Sequence, residues 1–121
     1  MAYTFSFEKL NVWKDSKEFA KLIYKITEEF PIEEKYGLTS QLRRASISIA
    51  SNLAEGTSRT TNKDKAHFTT VSFSSLMEVL NQVIIAREID LIKQEEYHMI
   101  REKIKKISNK LNALRKTQLN E

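Results

Sequence analysis

The fold this sequence predicts is all-α: an antiparallel up-down four-helix bundle built as a single domain over residues 1–121. Three observations predict it. Apolar residues recur three and four positions apart in four separate stretches, which is the pattern of helices with one buried face. The breaks between the stretches are short, so consecutive helices run antiparallel. Two glycines and one proline in 121 residues leave too little turn material for an all-β fold.

The first helix is expected over about residues 8–29, after a tail whose Tyr3, Phe5 and Phe7 can dock on a neighbouring element. Val12, Ser16, Phe19, Ile23, Ile26 and Phe30 form one stripe, and Leu10, Trp13, Ala20 and Tyr24 form another beside it. A face this wide can touch more than one partner. Pro31 ends the helix because it lacks an amide donor and its ring clashes with the preceding turn. Residues 32–38 connect, with Gly37 at the reversal.

The second helix, about residues 39–56, is the unusual one. Leu38, Leu42, Ala45, Ile49, Asn52, Leu53 and Gly56 share one side, with Thr39 as the expected N-cap and Gly56 as the expected end. Ala45, Ser46, Ser48, Ala50, Ser51 and Ala54 are small, so a neighbouring helix can approach closely. Gln41, Asn52 and Glu55 are polar near that face. An unpartnered buried amide costs about 1–3 kcal/mol. These residues are therefore expected to bond to other helices, as a structural polar network of Gln41, Ser48, Asn52 and Glu55 with Glu78 of the third helix.

Residues 57–62, TSRTTN, read as a polar loop, and Asn62 is expected to cap a third helix over about 63–89. Phe68, Val71, Ser75, Leu76, Val79, Leu80, Val83 and Ile84 form its stripe. Residues 90–93 turn the chain into a fourth helix over about 94–116. Glu95 and Glu96 suit its positive first turn. Tyr97, Ile100, Ile104, Ile107, Leu111 and Leu114 alternate by three and four, as in a bundle seam.

Several kinds of chemistry find no support. With no cysteine there is no disulfide, thiolate nucleophile or Cys-based metal site, which fits a reducing, cytoplasmic setting. The first residues, MAYTFSFEKLNVW, lack a secretory pattern. No apolar run approaches the ~20 residues of a membrane span, so no membrane partner is expected. His67 and His98 lack companions at ligand spacing, and Glu95 with His98 makes the Glu-x-x-His pattern once, not twice. No phosphate-binding glycine loop and no Gly-x-Ser-x-Gly elbow occurs. Arg59 and His67 are the nearest approach to an RNA-cutting pair. Neither a catalytic residue nor a metal or cofactor is expected.

Charge says more. The net charge is +4, but residues 1–92 are balanced, twelve basic against twelve acidic, while residues 93–121 carry eight basic against four acidic. Candidate nucleic-acid contacts are Arg43 and Arg44, then Arg59, Lys63 and Lys65 around the second loop, then Lys103, Lys106 and Lys110 on one flank of the fourth helix. Such groups bind phosphate through charge and counterion release, largely without reading bases. The competing readings are that Arg43 and Arg44 pair with Glu33, Glu34 or a neighbouring subunit, and that the lysines form a solvated face.

The run Phe30-Pro31, Glu34, Tyr36-Gly37-Leu38, Gln41-Leu42-Arg43-Arg44-Ala45, Ser48-Ile49, Asn52-Leu53-Ala54-Glu55-Gly56 resembles the bacterial family of 23S ribosomal RNA intervening-sequence proteins, some of them labelled S23 ribosomal proteins. Leu10-x-x-Trp13, Phe68 and Ser74-Ser75-Leu76-x-Glu78 extend the likeness over nearly the whole chain. Ser74 stands where the family pattern has glycine. The resemblance implies a four-helix bundle in a ring of five copies, and genes lying within ribosomal RNA insertions. It further implies a kinship of fold with accessory proteins of diversity-generating retroelements, which act with reverse transcriptase and nucleic acid. The expected function is thus a non-enzymatic homo-oligomer that binds structured RNA or DNA through basic residues, with a nucleic-acid enzyme as a further partner. The alternative is a scaffold that binds protein alone.

Overall fold

Four helices account for most of the chain in the computed structural model, which describes residues 3–120: α1 (Asn11–Thr27), α2 (Leu38–Thr57), α3 (Asn62–Glu88) and α4 (Gln94–Leu119). Each packs on its sequence neighbours, and α1 closes the arrangement against α4, so the chain forms an all-α up-down four-helix bundle. Short 3-10 turns precede α1 at Ser6–Lys9 and α2 at Ile32–Glu34.

The helix ends differ from expectation in instructive ways. Leu10 is extended (φ −77°, ψ 118°) and separates the 3-10 turn from α1, so the first helix starts later than its apolar pattern. Thr39 is no cap: it lies buried inside α2, and Gly37 occupies the cap position without a side-chain bond. The cap of α3 is Thr61 rather than Asn62; its hydroxyl accepts from the Asp64 amide at 3.1 Å. At the start of α4 the Glu96 carboxylate accepts from the Lys93 amide, which is the reaching-back half of a capping box.

Asp90 ends α3 in the left-handed region at φ 66°. Its amide donates to Arg87 O (3.1 Å), and Leu91 N donates to Ala86 O (2.8 Å), the paired bonds of a Schellman motif. Glycine ordinarily holds this position, and an acid at the negative end of the helix dipole is unfavourable. Asp90→Gly is therefore expected to stabilise the bundle by about 0.5–1 kcal/mol in urea titrations.

The core follows the predicted stripes. Val12, Ser16, Phe19, Ile23, Ile26 and Phe30 are all buried, as are Ile100, Ile104, Ile107 and Leu111 of the α4 seam. The inward hydroxyls return to their own helix: Ser16 to Val12 O and Thr27 to Ile23 O, each at 2.7 Å. By length and apolar composition α3 is the one described helix that could cross a membrane; in this fold it lies between α2 and α4 with nine residues buried.

Small residues let α2 and α3 interlock. Ser72 donates to Ile49 O at 2.9 Å, and the hydroxyls of Ser48 and Ser75 meet at 2.8 Å. Gly56 is buried mid-contact with ordinary helical geometry, so it does not end α2 as expected; the helix continues to Thr57. A Cβ on Gly56 would stand 2.9 Å from the Phe68 Cβ. Glycine is there for closeness, not for turning. Ser74 is exposed and meets no comparable constraint.

Candidate nucleic-acid interface

The polar residues of α2 fall into two small groups. Asn52 donates to Ser48 O (2.9 Å) and to Ser48 Oγ (3.0 Å), which extends the Ser48–Ser75 link. Two turns earlier, Gln82 Nε2 of α3 lies 3.4 Å from Gln41 Oε1 and 3.3 Å from Glu78 Oε2. Gln82 is the buried member, whereas Gln41 and Glu78 are exposed. Its own Oε1 has no partner among the described residues. Glu55 belongs to neither group: it is exposed, and its backbone carbonyl accepts from the Ser58 amide and hydroxyl. The expectation that Glu55 joins the polar network is therefore not met: it lies on the same side of α2 as Ser48, two turns on, but its exposed carboxylate bonds to nothing among the described residues. Gln82 is hidden in the sequence because its apolar neighbours Val79, Leu80 and Val83 dominate the pattern. Gln82→Met should be neutral or stabilising by up to about 1 kcal/mol, because it removes an orphaned acceptor while water serves Gln41 and Glu78; thermal denaturation reads this.

The basic residues separate into those held by the fold and those left to solvent. Arg43 is held. Its Nε donates to Thr27 Oγ1 at 2.9 Å, one Nη donates to Tyr24 O at 3.2 Å, and the guanidinium lies 4.5 Å from the Tyr24 ring centroid. It thus satisfies the carbonyl end of α1 instead of pairing with Glu33 or Glu34. Lys110 is also held, in an ion pair with Asp15 that joins α4 to α1. Arg44 is exposed. Lys103 and Lys106 are exposed, but they border a shallow cleft shared with Asp15 and Glu18, so their field is partly opposed.

The other cations meet at one end of the bundle. Up-down topology brings the α2–α3 loop beside the last turns of α4, and Thr69 Oγ1 of α3 donates to Gln118 Oε1 at 2.8 Å across that contact. Arg59, Lys63 and Lys65 therefore share an end with Arg115 and Lys116. None of these five makes an ion pair among the described residues. Among the described residues, Glu8, Glu55 and Asp64 are the acids nearby in the topology. Arg59 is positioned by an aromatic surface: its guanidinium lies 4.7 Å from the centroid of Phe68, whose Cβ packs close to Gly56. His67 stands edge-on to the same ring at 5.7 Å. Arg115 and Lys116 do not stand out in the sequence because they lie late in a helix where cations suit the dipole anyway.

The opposite end is acidic. Glu28, Glu29, Glu33, Glu34, Glu88, Asp90, Glu95 and Glu96 gather where α1 and α3 end and α2 and α4 begin, outnumbering the Lys25, Lys35, Arg87 and Lys93 that stand among them. The chain's modest net charge thus conceals a polarity from one end of the bundle to the other. A fold-scale separation of this kind steers charged partners more than the net charge suggests. Among the described residues no cluster of three His, Cys, Asp or Glu is arranged to hold a metal.

The comparisons with known proteins agree with this geometry at the level of fold and family. The chain is similar to a crystal structure from Bacteroides thetaiotaomicron VPI-5482, a protein with unknown function from the S23 ribosomal protein family. The TM-score is 0.77 at 21% identity, over 85% of this chain and 96% of that one. No curated protein matches. The family model of the 23S rRNA-intervening sequence protein matches residues 8–113, which takes in all of α1, α2 and α3 and most of α4. On that match the chain belongs to the family of 23S rRNA-intervening sequence proteins.

Proposed function

We propose that this protein is a non-enzymatic, self-associating helical platform that binds structured RNA through the basic end of its bundle. The observation that carries the reading is the convergence of Arg59, Lys63 and Lys65 with Arg115 and Lys116, none of them committed to an internal ion pair among the described residues. Helices hold Lys63, Lys65, Arg115 and Lys116, and Arg59 in the loop rests on the Phe68 ring, so phosphates meet a preset arrangement of charge. Contacts of this type fix position on a backbone without reading sequence. Self-association would repeat the basic end on every copy and raise avidity for a polyanion. Arg44, Lys103 and Lys106 then extend the field along the sides. The family's link with ribosomal RNA insertions, printed in its name, supports RNA over DNA.

The test is fluorescence anisotropy with a labelled RNA hairpin, a single strand of the same composition and a DNA duplex, each titrated at about 50 and 200 mM salt, a range over which charge-driven binding weakens markedly. Preferential binding of the hairpin, falling steeply with salt, is expected. Absence of binding to all three at low salt would leave the scaffold reading in its place. The same samples, run on a denaturing gel, test the non-enzymatic part: RNA cleavage that is lost in His67→Ala would refute it.

A further inference from the structure

The basic end also holds a cavity. α1 starts only at Asn11, so the 3-10 turn closes this end of the bundle in place of a helix. A space of about 450 Å³ remains between that turn, the α2–α3 junction and the last turns of α4. Its volume lies in the range of pockets that take a small ligand. Leu10, Leu53 and Leu114 give it apolar walls, Lys65, Asn62 and Gln118 give it a polar side, and no acid lines it. Lys65 is half-buried and makes no ion pair among the described residues. Gln118 is half-buried too; its Oε1 accepts from Thr69, while its Nε2 makes no bond among the described residues. Of the acids at this end, Glu8 accepts from the Phe5 amide at 2.9 Å, and Glu55 and Asp64 are exposed outside the cavity. Tyr3 and Phe5, 79% and 60% exposed, pack edge to face at 4.9 Å just before Ser6, which lines the cavity.

We propose that this cavity receives one unpaired base of a structured RNA held at the basic end. The lining suits an occupant with an apolar face, acceptors along one edge and an attached negative charge. A nucleotide has all three. Its base would lie against the leucines with its edge toward Lys65 and Gln118, and its phosphates would stand among Arg59, Lys63, Arg115 and Lys116. Bulges and loops offer bases that can be splayed out in this way, whereas the bases of a paired stem stay stacked. The rings of Tyr3 and Phe5 give the next base of the strand a surface to lie on. Every base carries acceptors on its edges, so the cavity separates unpaired from paired positions without requiring a particular sequence. This inference rests on the RNA-binding reading of the basic end and adds to it a contact with the base itself.

The test compares, by anisotropy at low salt, two labelled RNA hairpins that differ only in one unpaired guanosine bulged from the stem of the first. A stacked base contributes about fivefold or more to affinity, so the wild type is expected to bind the bulged hairpin tighter by that factor. Two variants leave the charge unchanged. Thr117→Leu narrows the mouth at an exposed position whose hydroxyl is bonded to Ala113 O of its own helix. Gln118→Met removes the amide donor, while Thr69 keeps its bond to Lys65 O. Each variant should bind the paired hairpin as the wild type does, and the bulged hairpin no tighter than the paired one. Equal wild-type affinity for the two hairpins would overturn the base pocket and leave the basic-end reading standing; no affinity for either would overturn both. A preference for the bulge that survives in either folded variant would overturn the pocket, since the base would then lie elsewhere. Guanosine monophosphate binding as tightly as the bulged hairpin would assign the cavity to free nucleotides and overturn its assignment to RNA. Should circular dichroism show one variant unfolded, the other decides.

Discussion

Gly56→Val is expected to destabilise the bundle by about 2–3 kcal/mol, through overpacking at a contact that cannot yield cheaply. The added Cβ would lie 2.9 Å from the Phe68 Cβ, an atom fixed to the α3 backbone and not the free end of a flexible chain. Relief requires α2 and α3 to separate where Ser48 and Ser75, and Ser72 and Ile49, are bonded across the contact. Better helix propensity than glycine offsets only part of this, by less than about 1 kcal/mol. Equilibrium urea unfolding reads the loss as a lower midpoint with an unchanged slope. The same substitution displaces the ring on which Arg59 rests, so RNA affinity should fall although no charge has been altered.

Charge reversal at the basic end is expected to have the largest effect on binding. Arg59→Glu, Lys63→Glu, Lys65→Glu, Arg115→Glu and Lys116→Glu together should lower affinity for a structured RNA by about a hundredfold or more at low salt, as expected where several phosphate contacts are lost at once. Reversal of Lys103, Lys105 and Lys106 should cost far less, because Glu102 shares that surface and Asp15 and Glu18 lie close by. Anisotropy titrations of both variants decide between an end-on and a side-on interface. Circular dichroism is the control, since the substituted side chains at the basic end are exposed except for the half-buried Lys65.

The sequence made the bundle legible because helical period, polar breaks and the scarcity of glycine all point one way. The buried stripes of α1 and α4 are those the spacing names, Ser16 included. Its errors came where a residue type has two uses. Glycine at 56 reads as a helix stop, yet it serves close packing. Thr39 and Asn62 are both good caps in isolation; which residue caps depends on where the preceding turn releases the backbone, and Thr61 takes the role in α3. Arg43 and Arg44 look alike in sequence, but one reaches the carbonyl end of α1 and the other faces solvent.

The candidate site was legible only in part for a related reason. Spacing along one helix finds flanks, such as Lys103 and Lys106, but the basic end is assembled from a loop, a helix start and a helix end that are far apart in sequence. Arg115 and Lys116 gain significance only when Thr69 and Gln118 show which turn of α4 stands beside α3. Lys110 loses its candidacy by the same kind of long-range contact, its pairing with Asp15. Charge balance by segment pointed correctly to an excess in the last helix but not to which of its lysines remain available.

The most direct measurement is the slope of log affinity against log salt for one structured RNA, compared between wild type and the variant with alanine at Arg59, Lys63, Lys65, Arg115 and Lys116. Each phosphate neutralised contributes a slope of about −0.7 to −0.9, so the wild-type line should be steep and the variant's shallower by about 3 or more. Parallel lines for the two proteins, or wild-type affinity that ignores salt, would contradict the account.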